Sequence, residues 1–495
     1  MSDKIEKENR MNQYTSRDTE WRRELRDAMS AKERTEIPRV KMPMLAAEFR
    51  IRNNMEVNEG LSADQAVVEA TRCLDCPDPQ CVTGCPVGID IPSFIKNIQR
   101  GATLEAATVL RATSALPAVC GRVCPQERQC ESKCIYNKMK KPAVAIGWLE
   151  RFAADSERLS GKRPEVALPA PNGMKVAVAG SGPCALSFAG DMAKMGYEVT
   201  VYEALHEIGG VLKYGIPEFR LPNAVVDAEL DALRDMGVKF IADTIIGKTL
   251  SYDDILNEGY SALFVASGAG LPRFMGIPGE NYINILSSNE YLTRINLMHA
   301  GTEGWATPVP KGKRVAVVGG GNTAMDSVRT ALRMGAEKAF LVYRRSEEEM
   351  PARREEIEHA KEEGVEFMTL ANPIEYLADE QGRVRTMRVQ RMELGEPDES
   401  GRRSPVPIDG AVDDIDVDVV VVSVGVSPNP LIPESIAGLE VTRRGTIAVD
   451  ESHQSSLPLV FAGGDIVRGG ATVILAMGDG RRAAAGMHKY LSGES

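Results

Sequence analysis

Residues 174–204 read MKVAVAGSGPCALSFAGDMAKMGYEVTVYEA, and this stretch decides the fold of most of the chain. It begins with a short apolar run, which predicts a buried β-strand, and then turns at Gly180-Ser181-Gly182. The segment Leu186–Met195 has helical spacing, and the next apolar run ends at Glu203. Strand, glycine turn, helix, strand and acid in this order are typical of a dinucleotide-binding unit in a parallel sheet.

Each residue type in this unit has a physical role. Gly180 permits the tight turn, and Gly182 lets the backbone approach a pyrophosphate. Oriented N–H groups at the start of the helix bind phosphate, and Glu203 suits the adenosine ribose hydroxyl. Cys184 is interpreted as a small packing residue in preference to a redox thiol. The predicted site comprises Gly180, Ser181, Gly182, Pro183, Cys184, Ala185 (in the place of the third glycine) and Glu203.

A second unit of the same kind follows at residues 314–346. The apolar run RVAVVGG enters the glycine turn GGGNTA, a helix is predicted through Met334, and the next strand is AFLVYRRS. Arg344 and Arg345 stand where the acid would be. Guanidinium groups pair with a ribose 2′-phosphate, which a carboxylate would repel, so the unit is predicted to prefer NADP(H) over NAD(H). The predicted site comprises Gly319, Gly320, Gly321, Asn322, Thr323, Ala324, Arg344 and Arg345.

The alternative for the two arginines is a solvated face that Glu347, Glu348 and Glu349 partly neutralise. If both units bind nucleotides, the acid-ended one suits a permanently held FAD and the arginine-ended one suits exchanging NADPH. Residues 459–465 support the FAD assignment, because this strand ends in Gly464-Asp465, and Asp465 can accept a hydrogen bond from a ribityl hydroxyl. A helix beginning at Thr472-Val473 would stabilise negative charge on the reduced flavin.

Eight of the nine cysteines lie in two runs, CLDCPDPQCVTGCP at residues 73–86 and CGRVCPQERQCESKC at residues 120–134. Three interpretations compete: disulfides, structural zinc and iron–sulfur clusters. Disulfides need an oxidising compartment, and the N-terminal MSDKIEKENR has no apolar segment that would lead there. Zinc sites use pairs of Cys-x2-Cys, whereas the first run packs four thiols tightly before Pro86. The pattern therefore favours two iron–sulfur clusters.

The composition of the 495 residues is that of a large globular enzyme, with 43% hydrophobic residues and a formal charge of −11. The negative charge argues against nucleic acid and anionic membrane as partners. No apolar run is long enough to span a bilayer, and we expect a cytoplasmic protein. Residues 1–40 are predicted to be a charged, exposed arm. Residues 41–165 are predicted to be helical, with a capping box from Ser62 to Gln65 opening the helix that leads to Cys73, and 161–173 to be a linker.

Taken together, these motifs resemble the glutamate synthase small (β) subunit family. The resemblance covers residues 41–495 and is carried by the cysteine pattern, by residues 180–222, and by GGGNTAMD, YRR and FAGGD. The family includes the homotetrameric-type NADPH glutamate synthases and the large subunit of NADH-dependent ferredoxin:NADP oxidoreductase. It is similar to the N-terminal half of dihydropyrimidine dehydrogenase.

The resemblance implies an α/β fold in which an α-helical di-cluster domain precedes two Rossmann-like domains of the glutathione-reductase type. The FAD domain would comprise residues 172–286 and 431–495, with the NADPH domain, 287–430, inserted in it. Gly209, Gly210 and Leu212 would join the flavin site. Two [4Fe–4S] clusters are implied, the first bound by Cys73, Cys76, Cys81 and Cys134 and the second by Cys85, Cys124, Cys130 and Glu150. Cys120 would be spare, and the alternative for Glu150 is an ordinary solvated helix residue.

The implied function is electron input. A hydride passes from NADPH to FAD, and single electrons pass through the clusters to a large glutamate synthase subunit that makes glutamate from glutamine and 2-oxoglutarate. Hydride transfer between cofactors needs alignment and no catalytic side chain. One alternative is the large subunit of an electron-bifurcating ferredoxin:NADP oxidoreductase, whose partner is a small flavin and iron–sulfur subunit. A non-enzymatic iron–sulfur protein would leave both nucleotide units unexplained. A homo-oligomer stays open.

Overall fold

The computed structural model describes residues 11–163 and 168–493. Its first part is helical, and the capping box is confirmed, since Ser62 and Gln65 bond reciprocally at the start of the helix that ends just before Cys73. Part of the predicted linker, residues 164–167, lies outside the described residues. The helices of this part are Glu20–Asp27, Ala31–Glu36, Ala47–Arg50, Ala63–Arg72, Gln80–Thr83, Ile91–Gln99, Thr103–Thr113, Pro117–Val123, Ile135–Lys138 and Ile146–Ser160, with 3-10 turns at Gln126–Arg128 and Glu131–Lys133.

The predicted exposed arm is wrong for residues 11–40, which pack onto the first cysteine run. Arg22 is 3% exposed, and its Nη2 lies 2.6 Å from Oδ1 of Asp75. Arg26 reaches the other carboxylate oxygen at 2.8 Å. Asp75 is fully buried, and a buried carboxylate requires paired cations. The charged segment supplies them, so it is a structural part of the helical region. Residues 1–10 lie outside the described residues.

Strands begin after this helical part. They are β1 (Lys175–Ala179), β2 (Glu198–Tyr202), β3 (Lys239–Ile241), β4 (Ala262–Val265), β5 (Leu271–Pro272), β6 (Ile285–Ser287), β7 (Arg314–Val318), β8 (Lys338–Tyr343), β9 (Glu366–Thr369), β10 (Ala371–Ala378), β11 (Val384–Pro397), β12 (Arg403–Asp416), β13 (Val419–Val422), β14 (Val426–Ser427) and β15 (Val460–Ala462).

Two parallel sheets organise the rest of the molecule. One has the order β15-β4-β1-β2-β3 and the other the order β6-β13-β7-β8-β9. Because β15 comes near the end of the chain, the second sheet is built from chain that interrupts the first. Strands β4, β13 and β15 are buried along their whole length, as expected where helices cover both faces of a parallel sheet.

Smaller elements connect the two sheets. Strands β10, β11 and β12 form an antiparallel sheet beside the second parallel sheet, and β5 pairs with β14 where the chain passes between the sheets in both directions. The remaining helices are Pro183–Lys194, Val211–Tyr214, Asn223–Asp235, Tyr252–Asn257, Ser288–Asn296, Asn322–Arg333, Arg354–Glu362, Leu431–Ser435, Asp465–Arg468 and Val473–Ser492, with a 3-10 turn at Glu347–Glu349.

The helix Val473–Ser492 joins the helical region to the first sheet. A Cβ on Gly478 would lie 3.0 Å from the carbonyl oxygen of Pro86, so the absence of a side chain permits this close approach. Arg481 donates to the carbonyl oxygens of Val87 and Thr113 at 2.6 and 2.8 Å. The cysteine-bearing loops are therefore held against the C-terminal helix. Within the described residues, none of the helices has the length and apolar character needed to cross a membrane.

Candidate functional site

The first crevice lies where β1 passes into the helix Pro183–Lys194. Gly180 has φ +97°, and a Cβ there would lie 2.6 Å from the carbonyl oxygen of Ala266, so glycine is required. The backbone N–H and the hydroxyl of Ser181 both donate to Oε2 of Glu203, at 2.9 and 2.6 Å. A Cβ at Gly182 would meet nothing within 4 Å. The turn thus leaves open space beside the N-terminus of the helix.

Asp465 and the start of the last helix form the opposite wall of this crevice. Asp465 Oδ1 is buried and has no hydrogen-bond partner. Burial raises the pKa of the Asp465 carboxyl to about 6. Thr472 caps the helix, its Oγ1 accepting from the N–H of Leu475 at 3.4 Å. A ligand hydroxyl that donates to Asp465 would satisfy the unpaired oxygen.

The second crevice lies where β7 passes into the helix Asn322–Arg333. A Cβ on Gly319 would lie 2.3 Å from the carbonyl oxygen of Ser423. Arg344 is exposed, and in the described part of the chain it makes no ion pair. Arg345 is buried and pairs with Asp398, while its Nε has no hydrogen-bond partner.

The three glutamates that follow the arginines form no ion pair with them in the described structure. Glu347 pairs with Lys361 at 2.5 Å, and Glu349 accepts from the hydroxyl of Ser346. Glu348 is exposed and makes no ion pair with a described residue. Arg344 is therefore free to bind an anion.

One cavity of about 1960 Å³ joins the two crevices. Its wall includes most of the predicted nucleotide-binding residues, namely Gly180, Ser181, Gly182, Pro183, Cys184, Glu203, Gly210, Asp465, Thr472 and Val473 on one side and Gly319, Gly320, Gly321, Asn322, Thr323, Arg344 and Arg345 on the other.

Five predicted residues do not line the cavity: Ala185, Gly209, Leu212, Gly464 and Ala324. Leu212, Ala185 and Ala324 are fully buried packing residues. Gly464 lies against Cys184, whose Cβ would be 2.9 Å from a Cβ at that position. These residues shape the cavity through the backbone and do not face it.

Val123, Arg220 and Arg402 are among the cavity-lining residues that sequence reasoning missed. Val123 ends a helix of the cysteine region, and Arg402 follows the turn between β11 and β12. Val123 and Arg402 reach the cavity from segments remote from the dinucleotide-binding units, so no local pattern marks them, whereas Arg220 lies within the motif stretch 180–222. The guanidinium of Arg220 donates to both oxygens of Asp326 at 2.7 Å.

The cysteines form two groups that cross between the two runs. Burial, followed by the nearby Cys73 and Cys134 thiols, raises the pKa of Cys76 and of Cys81. In the second group burial raises the pKa of Cys85 to about 11, with Glu150 and Cys124 contributing. Burial also raises the pKa of Cys130, and Glu150, Cys124 and Cys85 contribute there too. The members of each predicted ligand set are therefore close enough to influence one another's pKa.

Glu150 and Cys120 are both buried beside the second group. Burial raises the pKa of Glu150 to about 8, and its Oε1 has no hydrogen-bond partner. A hydrogen bond with Cys124, then burial, raises the pKa of Cys120. The Cys120 sulfur also lies 3.4 Å from the sulfur of Met477. The solvated alternative for Glu150 is thus wrong.

No disulfide joins any of the nine cysteines, all of which lie in the described residues. Within residues 11–163 and 168–493, no three His, Cys, Asp or Glu side chains are grouped closely enough to hold one metal ion. A four-iron cluster spreads its ligands more widely than a single ion does.

The second cysteine group is the one nearer the first crevice. Val123, which lines the cavity, is followed directly by Cys124, and the side-chain amide of Gln129 donates to Thr472 Oγ1 at 3.5 Å. In the second group Cys124 and Cys130 are buried and Cys85 is partly exposed, whereas all four cysteines of the first group are partly exposed. The first group is thus closer to the surface.

The fold and the site define an oxidoreductase of the pyridine nucleotide type with an iron–sulfur region before it. Residues 50–162 match the family described as dihydropyrimidine dehydrogenase domain II, 4Fe-4S cluster. Residues 174–480 match the pyridine nucleotide-disulphide oxidoreductase family. These matches confirm the predicted 4Fe-4S region, the FAD and NADP oxidoreductase class and the α/β fold class.

The chain belongs to the family of the glutamate synthase [NADPH] small chains, as the sequence analysis predicted. It is 36% identical to that of Escherichia coli over 463 residues, which covers 92% of this chain and 98% of the relative. The small chain of Azospirillum brasilense is 38% identical, with 90% and 93% covered. A relative with another name, the NADP(+)-dependent formate dehydrogenase subunit beta of Moorella thermoacetica, is 39% identical, with 83% and 60% covered.

Solved structures show the same fold at lower sequence identity. FprA from Mycobacterium tuberculosis, solved in complex with NADPH, superposes with a TM-score of 0.55 at 20% identity, covering 65% of this chain and 85% of that one. At this identity the likeness concerns the fold alone.

Proposed function

We propose that this chain is the electron-input subunit of an NADPH-dependent glutamate synthase. The observation that carries the proposal is one cavity whose wall includes the arginine-ended crevice, the acid-ended crevice and Val123, which is next to Cys124. A donor nucleotide, a flavin and a cluster would thus lie in sequence along one path. Family membership supports the same reading.

The acid-ended crevice fits FAD. The unpaired Asp465 Oδ1 offers a buried acceptor for a hydroxyl of the flavin chain. Glu203 offers a carboxylate for a ribose hydroxyl, which would replace the hydroxyl of Ser181 as a hydrogen-bond donor to Oε2. The helix that begins at Val473 directs its N–H groups at the cavity. Bound there, FAD would accept a hydride from NADPH and release its electrons singly. The surrounding protein orients the two rings and excludes water.

The arginine-ended crevice fits NADPH. Gly319 and the N-terminus of the helix Asn322–Arg333 present backbone N–H groups for a pyrophosphate. The unpaired Arg344 and the unpartnered Nε of Arg345 provide positive charge and a donor for a 2′-phosphate. The placement of these groups supports a preference for NADPH over NADH.

The two cysteine groups fit two [4Fe–4S] clusters, one bound by Cys73, Cys76, Cys81 and Cys134 and one by Cys85, Cys124, Cys130 and Glu150. The unpaired oxygen of the buried Glu150 supports its role as the non-cysteine ligand. We infer the domain limits accordingly: the cluster domain at 41–165, with 11–40 packed against it, the FAD domain at 172–286 and 431–495, and the NADPH domain at 287–430.

The partner in this proposal is the large subunit that forms glutamate from glutamine and 2-oxoglutarate. Co-purification of the native complex tests the proposal, with iron, sulfide and FAD counted per chain and NADPH-driven, glutamine-dependent glutamate formation assayed. We expect about eight irons and one flavin per chain. An iron content near four would contradict the two clusters. A small flavin and iron–sulfur subunit in place of the large one would contradict the glutamate synthase role.

A further inference from the structure

The hairpin of β11 and β12 reaches the arginine-ended crevice with its tip. Asp398 organises the tip: its Oδ1 accepts from the N–H of Ser400 at 2.9 Å and of Arg402 at 3.4 Å. Two backbone hydrogen bonds of 2.8 Å close the turn. The N–H of Asp398 donates to the carbonyl oxygen of Arg402, and the N–H of Gly401 donates to the carbonyl oxygen of Asp398. Arg402 lines the cavity.

The same aspartate ties the tip to the end of β8. Its second carboxylate oxygen, Oδ2, pairs with Arg345, so one side chain fixes both the turn and the buried arginine. Arg402 makes no ion pair with any residue that the structure describes, and its Nε donates to the hydroxyl of Ser400 at 2.9 Å. Its remaining guanidinium N–H groups are therefore available to an anion in the cavity.

We propose that the hairpin tip, residues 398–402, forms one side of the 2′-phosphate site, with Arg402 as a further phosphate-binding residue and Asp398 as the residue that positions it. This proposal rests on the NADPH preference proposed above and adds a specificity element from outside the dinucleotide-binding unit. Arg344 and Arg402 are contributed by different elements, and Asp398 links them by pairing with Arg345 and accepting from the Arg402 backbone N–H.

The charges around the site favour a dianionic group over a hydroxyl. Arg344, Arg345 and Arg402 all line the cavity, and the nearby carboxylate of Asp398 is already neutralised by Arg345. An unphosphorylated ribose would leave Arg344 and Arg402 without an anionic partner, whereas a 2′-phosphate would pair with both. The hairpin tip should thus strengthen NADPH binding and leave NADH binding nearly unchanged.

Isothermal titration of the purified full-length protein with 2′,5′-ADP and with 5′-AMP tests the proposal. R402A should weaken 2′,5′-ADP binding about 10- to 100-fold and leave 5′-AMP binding unchanged. Arg403 gives a matched control, because it belongs to the same hairpin but donates to the carbonyl oxygens of Gly395 and Leu394 and does not line the cavity. R403A should bind both probes as the wild type does. R402Q replaces R402A if the alanine variant does not fold.

Asp398 is tested by the ratio of the two affinities. D398A should lower the preference for 2′,5′-ADP, and D398E should restore part of it. Equal weakening of both probes by D398A would contradict a positioning role of Asp398 that is specific to the 2′-phosphate. If R402A binds 2′,5′-ADP as tightly as the wild type does, the hairpin tip has no role in phosphate binding. This holds even if R344A no longer prefers 2′,5′-ADP over 5′-AMP. A wild type that does not distinguish the probes would instead overturn the NADPH preference itself.

Discussion

Three buried polar atoms without a hydrogen-bond partner lie at the three places where ligands are expected. They are Oδ1 of Asp465, Nε of Arg345 and Oε1 of Glu150. Buried polar groups in folded proteins are nearly always satisfied, and an unsatisfied one requires an explanation. Each of these atoms is of the type that its expected ligand needs: an acceptor for a hydroxyl, a donor for a phosphate and an oxygen for iron.

Flavin retention should depend on pH through Asp465. The pKa of this carboxyl is raised from 3.8 to about 6 by burial, so a fall in pH through about 6 protonates it and removes an acceptor for the flavin. A flavin hydroxyl that donates to the carboxylate lowers this pKa, so we expect wild-type protein to release FAD faster in acid, at pH values below about 6, than at neutral pH. D465N should release FAD about 10-fold faster at neutral pH and lose this pH dependence.

The increase in flavin fluorescence after dilution measures this release between pH 5 and 8. An identical pH profile in D465N and the wild type would contradict the role of Asp465. D450N provides a control, because Asp450 is exposed and accepts from the backbone of Ser452 and Gln454, away from the cavity.

Cys120 and Cys124 are neighbours on one helical turn and should differ in their effect on iron content. C120S should keep both clusters and lower the stability only slightly, because Cys120 contacts Met477 and is predicted to bind no iron. C124S should lose about four irons per chain. Iron and sulfide analysis with low-temperature EPR spectra distinguishes the two variants, and loss of a cluster in C120S would make Cys120 a ligand.

At the scale of elements, the helix Arg354–Glu362 and the residue after it hold three parts of the chain together. Glu363 is buried and accepts from Arg329 and Arg333, both on the helix Asn322–Arg333, at 2.8 Å. It also accepts from Arg50 of the cysteine region at 2.8 Å. The second parallel sheet is thereby clamped to the helical region by one carboxylate.

E363A should destabilise the protein by about 3–5 kcal/mol, because it removes a buried carboxylate that three arginines share. Arg333 then has no ion-pair partner among the described residues, while Arg50 keeps Glu362 and Arg329 keeps Glu356. The neighbouring Glu362 is half exposed and has a single pairing with Arg50 at 2.7 Å. E362A should therefore cost less than about 1 kcal/mol. Urea denaturation of the two variants, followed by fluorescence, measures both changes, and equal midpoints would contradict the clamp.

The elements with local signals were predictable from the sequence, and their long-range contacts were not. The glycine turn at Gly180 and the capping box at Ser62 depend on residues a few positions apart, and both have the predicted form. The pairing of Arg22 with Asp75 and the approach of Arg402 to the crevice join segments more than fifty residues apart. Lone arginines in a charged stretch carry no periodic pattern, so only the fold shows which of them are buried.

At the scale of the molecule, the cysteine region lies between the cavity and the surface. The second cysteine group, in which Cys124 and Cys130 are buried, adjoins the wall at Val123, and the first group, all of whose cysteines are partly exposed, lies closer to the surface. The helix Val473–Ser492 contributes its N-terminus to the cavity and its middle to the contact with Pro86. The same rigid element would therefore position the flavin and the inner cluster relative to each other.

This arrangement predicts that loss of the outer cluster separates electron uptake from electron delivery. C134S should lose about four irons, keep FAD, and reduce small dyes such as ferricyanide with NADPH at close to the wild-type rate, because the cavity and the inner cysteine group are unchanged. It should support glutamine-dependent glutamate formation with the large subunit at least about 100-fold more slowly, since the proposed route to the surface passes through the missing cluster. C120S serves as the matched cysteine control and should retain both activities. Wild-type rates of glutamate formation in C134S would mean that electrons leave the inner cluster directly and that the outer group is structural.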